Sequence, residues 1–132
     1  MPSADLKASR PLSPHLQIYR WAPTMVVSIA HRITGVALYF GTLLLAWWLI
    51  AAASGPKYFR FVNGLASSWI GLIVLFGFSW ALIHHALGGV RHLIWDTGRG
   101  MGKPARDQLA IANIIGSVAL TILLWIIGLL VW

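Results

Sequence analysis

Apolar residues along this chain fall into three long blocks separated by short polar stretches. The first block runs from about Pro23 or Met25 to about Ala53, and its later part, 33–54, carries no charge. The second runs from about Asn63 to Trp95 and contains the uncharged stretch 65–83. The third runs from about Gln108 to Trp132 with no charge after Asp107. A helix needs about 20 apolar residues to cross the ~30 Å hydrocarbon core. The pattern therefore predicts an all-α membrane protein with three transmembrane helices over about 23–53, 63–95 and 108–132, forming one membrane domain over 23–132. Gly55-Pro56 breaks the first connection, read as Ser54 to Arg60. Gly98, Gly100, Gly102 and Pro104 mark the second, Asp96 to Asp107. Residues 1–22 form a polar arm in which Pro11 and Pro14 forbid a long regular helix. Tyr19 and Trp21 at its end suit a membrane interface.

Composition supports this reading. The chain has 132 residues, of which 58% are hydrophobic and only 10% charged, and its mean hydropathy is +0.76. Soluble globular domains lie far from these values. The formal charge of +7 invites a nucleic-acid partner. The cations, however, sit at the ends of apolar runs, where they snorkel and orient the chain, so no nucleic acid is expected. Cysteine is absent, which removes disulfides, thiolate cluster ligands and thioether-linked haem. No short apolar segment with a small-residue cleavage site opens the chain. Lys7, Arg10, Arg20 and Arg32 lie at the start of the first span, and Arg91, Arg99, Lys103 and Arg106 lie around the second connection. Only Lys57 and Arg60 lie at the other side. The positive-inside rule then predicts a cytoplasmic N-terminal arm and second connection, and a C-terminus outside.

Polar residues inside the spans carry the candidate chemistry, because titratable groups are costly in a bilayer. On the second span, His85, Gly89, His92 and Asp96 follow helical spacing on one face, while His84, Gly88 and Arg91 form the neighbouring stripe. On the first, Ser28, His31 and Arg32 share a face. The start of the first span and the end of the second belong to one leaflet. His31 and His85 both lie roughly 12–16 Å in at 1.5 Å per residue. Ser28, His31, Arg32, His85, Arg91 and His92 are thus expected to converge. Their chemistry suits an anionic or carbonyl-bearing ligand, a metal macrocycle, or both. The arginines can pair with propionates or a semiquinone anion, and Ser28 can donate to a carbonyl. His85 can ligate haem iron, and the missing side chain at Gly89 lets a flat ring lie against the backbone. His92 cannot be the second axial ligand, being about 10 Å along the same face. A partner chain should supply that ligand. Met25 and Met101 are weaker ligand candidates. Asn113 and Ser117, four apart on the third span, read as helix contacts.

Three motifs then carry a resemblance. They are Arg10-Pro11-Leu12-Ser13-Pro14-His15-Leu16-Gln17-Ile18-Tyr19, Ser28-Ile29-Ala30-His31-Arg32-Ile33-Thr34-Gly35, and His85 followed by Gly89-Val90-Arg91-His92-Leu93-Ile94-Trp95-Asp96. In this order, with these loop lengths, the chain resembles the cytochrome b subunit of succinate dehydrogenase, the large membrane anchor of respiratory complex II, in its alphaproteobacterial and mitochondrial branch. The resemblance implies half of a helical bundle that a second membrane-anchor subunit completes. It further implies a flavoprotein subunit holding FAD and an iron–sulfur subunit holding the clusters. Haem b would be shared between the two anchors and ubiquinone would be the substrate. By the same resemblance His85 is the iron ligand, and Ser28 and Arg32, with His31 beside a haem propionate, belong to the quinone site. Arg91 and His92 are expected to be propionate or pocket-wall residues. His84 departs from the commoner pattern, which has one His there, and offers a rival ligand about 100° round the helix. With no transit peptide ahead of the arm, a bacterial inner membrane is expected, with the C-terminus periplasmic. Two alternatives stay open: a structural anchor without haem, and the cytochrome b subunit of another membrane oxidoreductase.

Overall fold

The computed structural model describes residues 18–131. The Pro-rich part of the arm, including Pro11, Pro14 and His15, lies outside the described residues. Four helices follow in order: α1, Pro23–Ser54; α2, Pro56–Ala66; α3, Trp69–Asp96; and α4, Lys103–Val131. Helices α1, α3 and α4 are each long and apolar enough to cross a membrane. At 1.5 Å per residue, the 32 residues of α1 reach ~48 Å, well beyond the hydrocarbon thickness.

Local chemistry sets the boundaries. Pro23 opens α1 at a position where its missing N–H costs nothing. Just ahead of it, the Tyr19 hydroxyl donates to Met25 Sδ at 2.9 Å, which ties the end of the arm to the first helical turn. Gly55, at φ +117°, breaks α1 from α2, and Pro56 restarts the helix at once. Ser68 caps α3, its hydroxyl accepting from the Gly71 N–H at 3.2 Å. Gly71 sits so close to the Ala66 carbonyl that any side chain there would collide with it. Gly98 and Gly100, both at positive φ, turn the chain from α3 into α4.

The first connection therefore differs from its sequence reading. Pro56–Ala66 is a helix of 11 residues, and the spanning helix begins at Trp69 rather than near Asn63. The Gly-Pro pair marks a corner between two helices. The third spanning helix likewise begins at Lys103, five residues before the expected Gln108.

The centre between α1, α3 and α4 is lined by small and polar residues. The buried residues are Val27, Thr34, Gly41 and Ala51 on α1; Ala81, His84, Gly88 and Arg91 on α3; and Ala110, Asn113, Ser117 and Thr121 on α4. Large apolar side chains point outward, as lipid demands. Between membrane helices, close packing of small residues and interhelical hydrogen bonds replace the hydrophobic drive. Phe78 fills the notch at Gly41, and Leu87 lies against Gly116. A Cβ added at Gly77 would meet nothing within 4 Å.

Candidate functional site

The first turns of α1 and the last turns of α3 meet at one end of the bundle. There Thr24, Ser28, His31, Arg32, Arg91, His92 and Trp95 line a cleft of about 370 Å³. Thr24, Ser28 and Arg32 recur every four residues and so present one stripe to the opening. Five of the lining residues are ones that spacing and depth bring together. Thr24 and Trp95 are additions. Thr24 was available as the next member of the Ser28–Arg32 stripe, and Trp95 as the residue one turn beyond Arg91.

Arg91 is almost wholly covered, at 4% exposure. Its guanidinium carbon lies 4.9 Å from the centroid of the Trp95 ring, an attractive placement for a cation. The Trp95 indole N–H donates to the Gly100 carbonyl at 3.2 Å, so the α3–α4 turn holds the ring that holds Arg91. His92 is exposed and meets Trp95 edge-on at 5.2 Å. Among the described residues, Arg91 Nε and Nη1 and His31 Nδ1 are buried without a hydrogen-bond partner. Buried polar atoms of this kind normally have partners.

His31 sits where α3 lacks a side chain. A Cβ at Gly88 would strike its imidazole. The ring also stacks on His85, with centroids 3.9 Å apart and planes 7° from parallel. His85 is half-buried, and its Nδ1 lies 3.1 Å from the His31 carbonyl oxygen. A carbonyl only accepts, so Nδ1 carries the proton and Nε2 keeps its lone pair. Beside it on the helix, a Cβ added at Gly89 would meet nothing within 4 Å. The two glycines thus divide the work: Gly88 admits His31, and Gly89 leaves open space next to His85.

His84 points the other way. It is buried to 1% exposure between α3 and α4. Its Nδ1 lies 3.1 Å from Ser117 Oγ and 3.2 Å from Asn113 Nδ2. The same amide nitrogen reaches the His84 carbonyl at 3.3 Å, which fixes it as a donor. His84 Nδ1 is then an acceptor and the proton sits on Nε2. Asn113 and Ser117 are the helix contacts expected of them. No group of three or more His, Cys, Asp or Glu is arranged to hold a metal ion among the described residues.

Fold and cleft define a three-span helical membrane subunit with imidazole, guanidinium and hydroxyl groups gathered at one end of the bundle. The chain belongs to the succinate dehydrogenase/fumarate reductase transmembrane subunit family, which it matches over residues 7–124. It is 44% identical over 121 residues to the succinate dehydrogenase cytochrome b556 subunit of Paracoccus denitrificans, covering 92% of this chain and 93% of that one. The cytochrome b556 subunit of Rickettsia felis is 41% identical over 122 residues, with 92% and 95% covered. The mitochondrial cytochrome b560 subunit of Sus scrofa is 36% identical over 116 residues, with 86% and 69% covered. The family read from the three motifs is thus the right one, on both its alphaproteobacterial and its mitochondrial side. As a member, the chain is a transmembrane component of this enzyme and not its succinate-binding part.

Proposed function

We propose that this subunit holds haem b through His85 and forms, with its cleft, part of the site where ubiquinone is reduced by electrons from an iron–sulfur partner. The observation that carries the reading is the gathering of Ser28, His31, Arg32, Arg91 and His92 around one cleft, with buried nitrogens of His31 and Arg91 left unpaired among the described residues. The family, and relatives named cytochrome b556 and b560, support a b-type haem.

The residues fit such a group. His85 Nε2 keeps its lone pair because Nδ1 donates to His31, the backbone restraint common behind metal-bound histidines. Gly89 leaves room beside that imidazole. His84 fits badly: its Nδ1 is taken by α4 and its Nε2 carries the proton. Arg32, Arg91, His31 and His92 are the groups available to propionates. Haem b, when bound, supplies a one-electron centre beside the quinone. A second membrane-anchor subunit would complete the haem's binding, in a complex that also contains the flavoprotein with FAD and the iron–sulfur subunit. The cleft lies at the cytoplasmic side of a bacterial inner membrane and the C-terminus in the periplasm, as the Lys and Arg distribution supports.

Ser28 and Arg32 do the work at the quinone. Reduction places negative charge on a carbonyl oxygen before protons arrive. A hydroxyl donor and a guanidinium one helical turn away stabilise that charge where the bound quinone excludes water. Arg32→Lys should impair the reaction although charge is kept, because the planar donor fork is lost. Ser28→Ala should slow it about 5- to 150-fold, the equivalent of roughly 1–3 kcal/mol for a buried partner left unpaired. The test is a pair of succinate oxidation assays on intact membranes, one with ubiquinone and one with an artificial acceptor that draws electrons from the soluble subunits. Loss with ubiquinone alone supports the reading. Equal loss in both assays assigns these residues to assembly, and unchanged ubiquinone reduction removes them from the site.

A further inference from the structure

We propose that α2 is an anionic-phospholipid-binding helix, lying in the membrane interface at the end of the bundle opposite the cleft. Its 11 residues divide into three sectors. Phe59, Val62, Asn63 and Ala66 turn inward and are buried or half-buried. Tyr58, Phe61 and Leu65, spaced i, i+3, i+7, form an apolar stripe that is 40%, 60% and 47% exposed. Lys57, Arg60 and Gly64 form a third, exposed stripe about 100° further round. A helix with one packed face needs only one solvated face. The two different exposed faces, one apolar and one cationic, suit hydrocarbon on one side and headgroups on the other.

The position of α2 fits that boundary. It starts where spanning helix α1 ends and stops two residues before spanning helix α3 begins. The Trp47 indole N–H donates to the Tyr58 hydroxyl at 2.8 Å, and the Trp48 indole N–H to Asn63 Oδ1 at 3.3 Å. Trp48 also meets Phe59 edge-on at 5.4 Å. Indoles of this sort gather at headgroup depth. These contacts hold α2 against α1 with its outer faces free. At the joint, Ser54, Gly55, Pro56, Lys57, Tyr58 and Phe61 line an open cleft of about 510 Å³, with apolar walls and an ammonium group. That combination suits a lipid phosphate with the start of its acyl chains.

Charge decides which lipid. The only carboxylates among the described residues, Asp96 and Asp107, lie at the opposite end of the bundle. Among the described residues no carboxylate side chain on this side neutralises Lys57 and Arg60, so an anionic headgroup is preferred over a zwitterionic one. Two cations here also run against the orientation signal that the rest of the chain obeys. A local use for their charge accounts for their presence.

The test uses the whole detergent-purified complex, stripped of loose lipid and mixed with micelles of phosphatidylcholine or phosphatidylglycerol. Lipid retained per complex is counted by native mass spectrometry. The intact complex should retain phosphatidylglycerol in preference, and Lys57→Gln with Arg60→Gln should cut that retention roughly 25-fold, at about one factor of five per cation. Lys57→Arg with Arg60→Lys should restore it. Equal retention of the two lipids, no change in the double variant, or displacement by millimolar inorganic phosphate would each overturn the proposal. The inference is independent of haem and quinone, so the double variant should keep its absorbance spectrum and its ubiquinone activity.

Discussion

His84 and His85 are neighbours on α3, yet they sit in opposite environments. His84 is sealed between α3 and α4, with Asn113 and Ser117 on its Nδ1 and a proton on Nε2. His85 lies at the α1–α3 seam with a proton on Nδ1, a free lone pair on Nε2 and open space beside Gly89. One face of the helix is closed by its own chain, and the adjacent face is left to something from outside. Turning 100° round a helix is enough to convert the same side chain from a packing group into one with a nitrogen free to bind. What makes the difference is the neighbouring helix: polar residues on α4 occupy Nδ1 of one imidazole and leave its buried Nε2 without a partner among the described residues, whereas a backbone carbonyl on α1 orients the other.

Substitutions along these two faces can break the comparison. The largest effect on stability should come from Gly88→Ala, because the added methyl meets the His31 ring and forces it off His85. Overpacking of this kind costs about 1–3 kcal/mol. Denaturant unfolding of the purified anchor reads it, and a value near zero would mean that Gly88 does not set the seam. Asn113→Ala removes two contacts to His84 and should cost about 1–2 kcal/mol, since interhelical bonds in membranes average ~0.6 and reach ~1.7 kcal/mol each. Ser117→Ala removes one and should cost about 0.6 kcal/mol. The smallest effect belongs to Gly89→Ala, which enters open space and should leave unfolding unchanged. Its signature lies elsewhere: the haem content of the assembled complex should fall. If Gly89→Ala destabilises the apoprotein as much as Gly88→Ala does, the division between closed and open faces is wrong.

Much of this site was legible from spacing. Apolar runs gave the three spanning helices. Equal depth from one bilayer surface brought Ser28, His31, Arg32, Arg91 and His92 together before any coordinates. Periodicity also separated the His84 stripe from the His85 stripe, but it could not say which one the chain itself would cover. That depends on Asn113 and Ser117 facing α3, a tertiary fact. The open glycine was named correctly as Gly89, while the packing role of its neighbour Gly88 was missed because it depends on where His31 lands. Helix α2 was missed for a different reason. Gly55-Pro56 reads as a breaker, and the charges at Lys57 and Arg60 read as a loop. Yet Pro is also a good first helical residue, and Phe59, Val62 and Ala66 repeat at helical spacing. That short amphipathic signal was overlooked beside the long apolar blocks.

The most direct test of the account is the visible spectrum of the purified complex carrying His85→Ala or His84→Ala. The spectrum should show a low-spin b-type haem in the unaltered complex. His85→Ala should abolish its low-spin bis-histidine character, while His84→Ala should leave the spectrum nearly intact and only weaken the α3–α4 contact. The contrary result is loss of the low-spin signal in His84→Ala with retention in His85→Ala. It would show that the face sealed by α4 opens to take the haem and that the open face does not hold it.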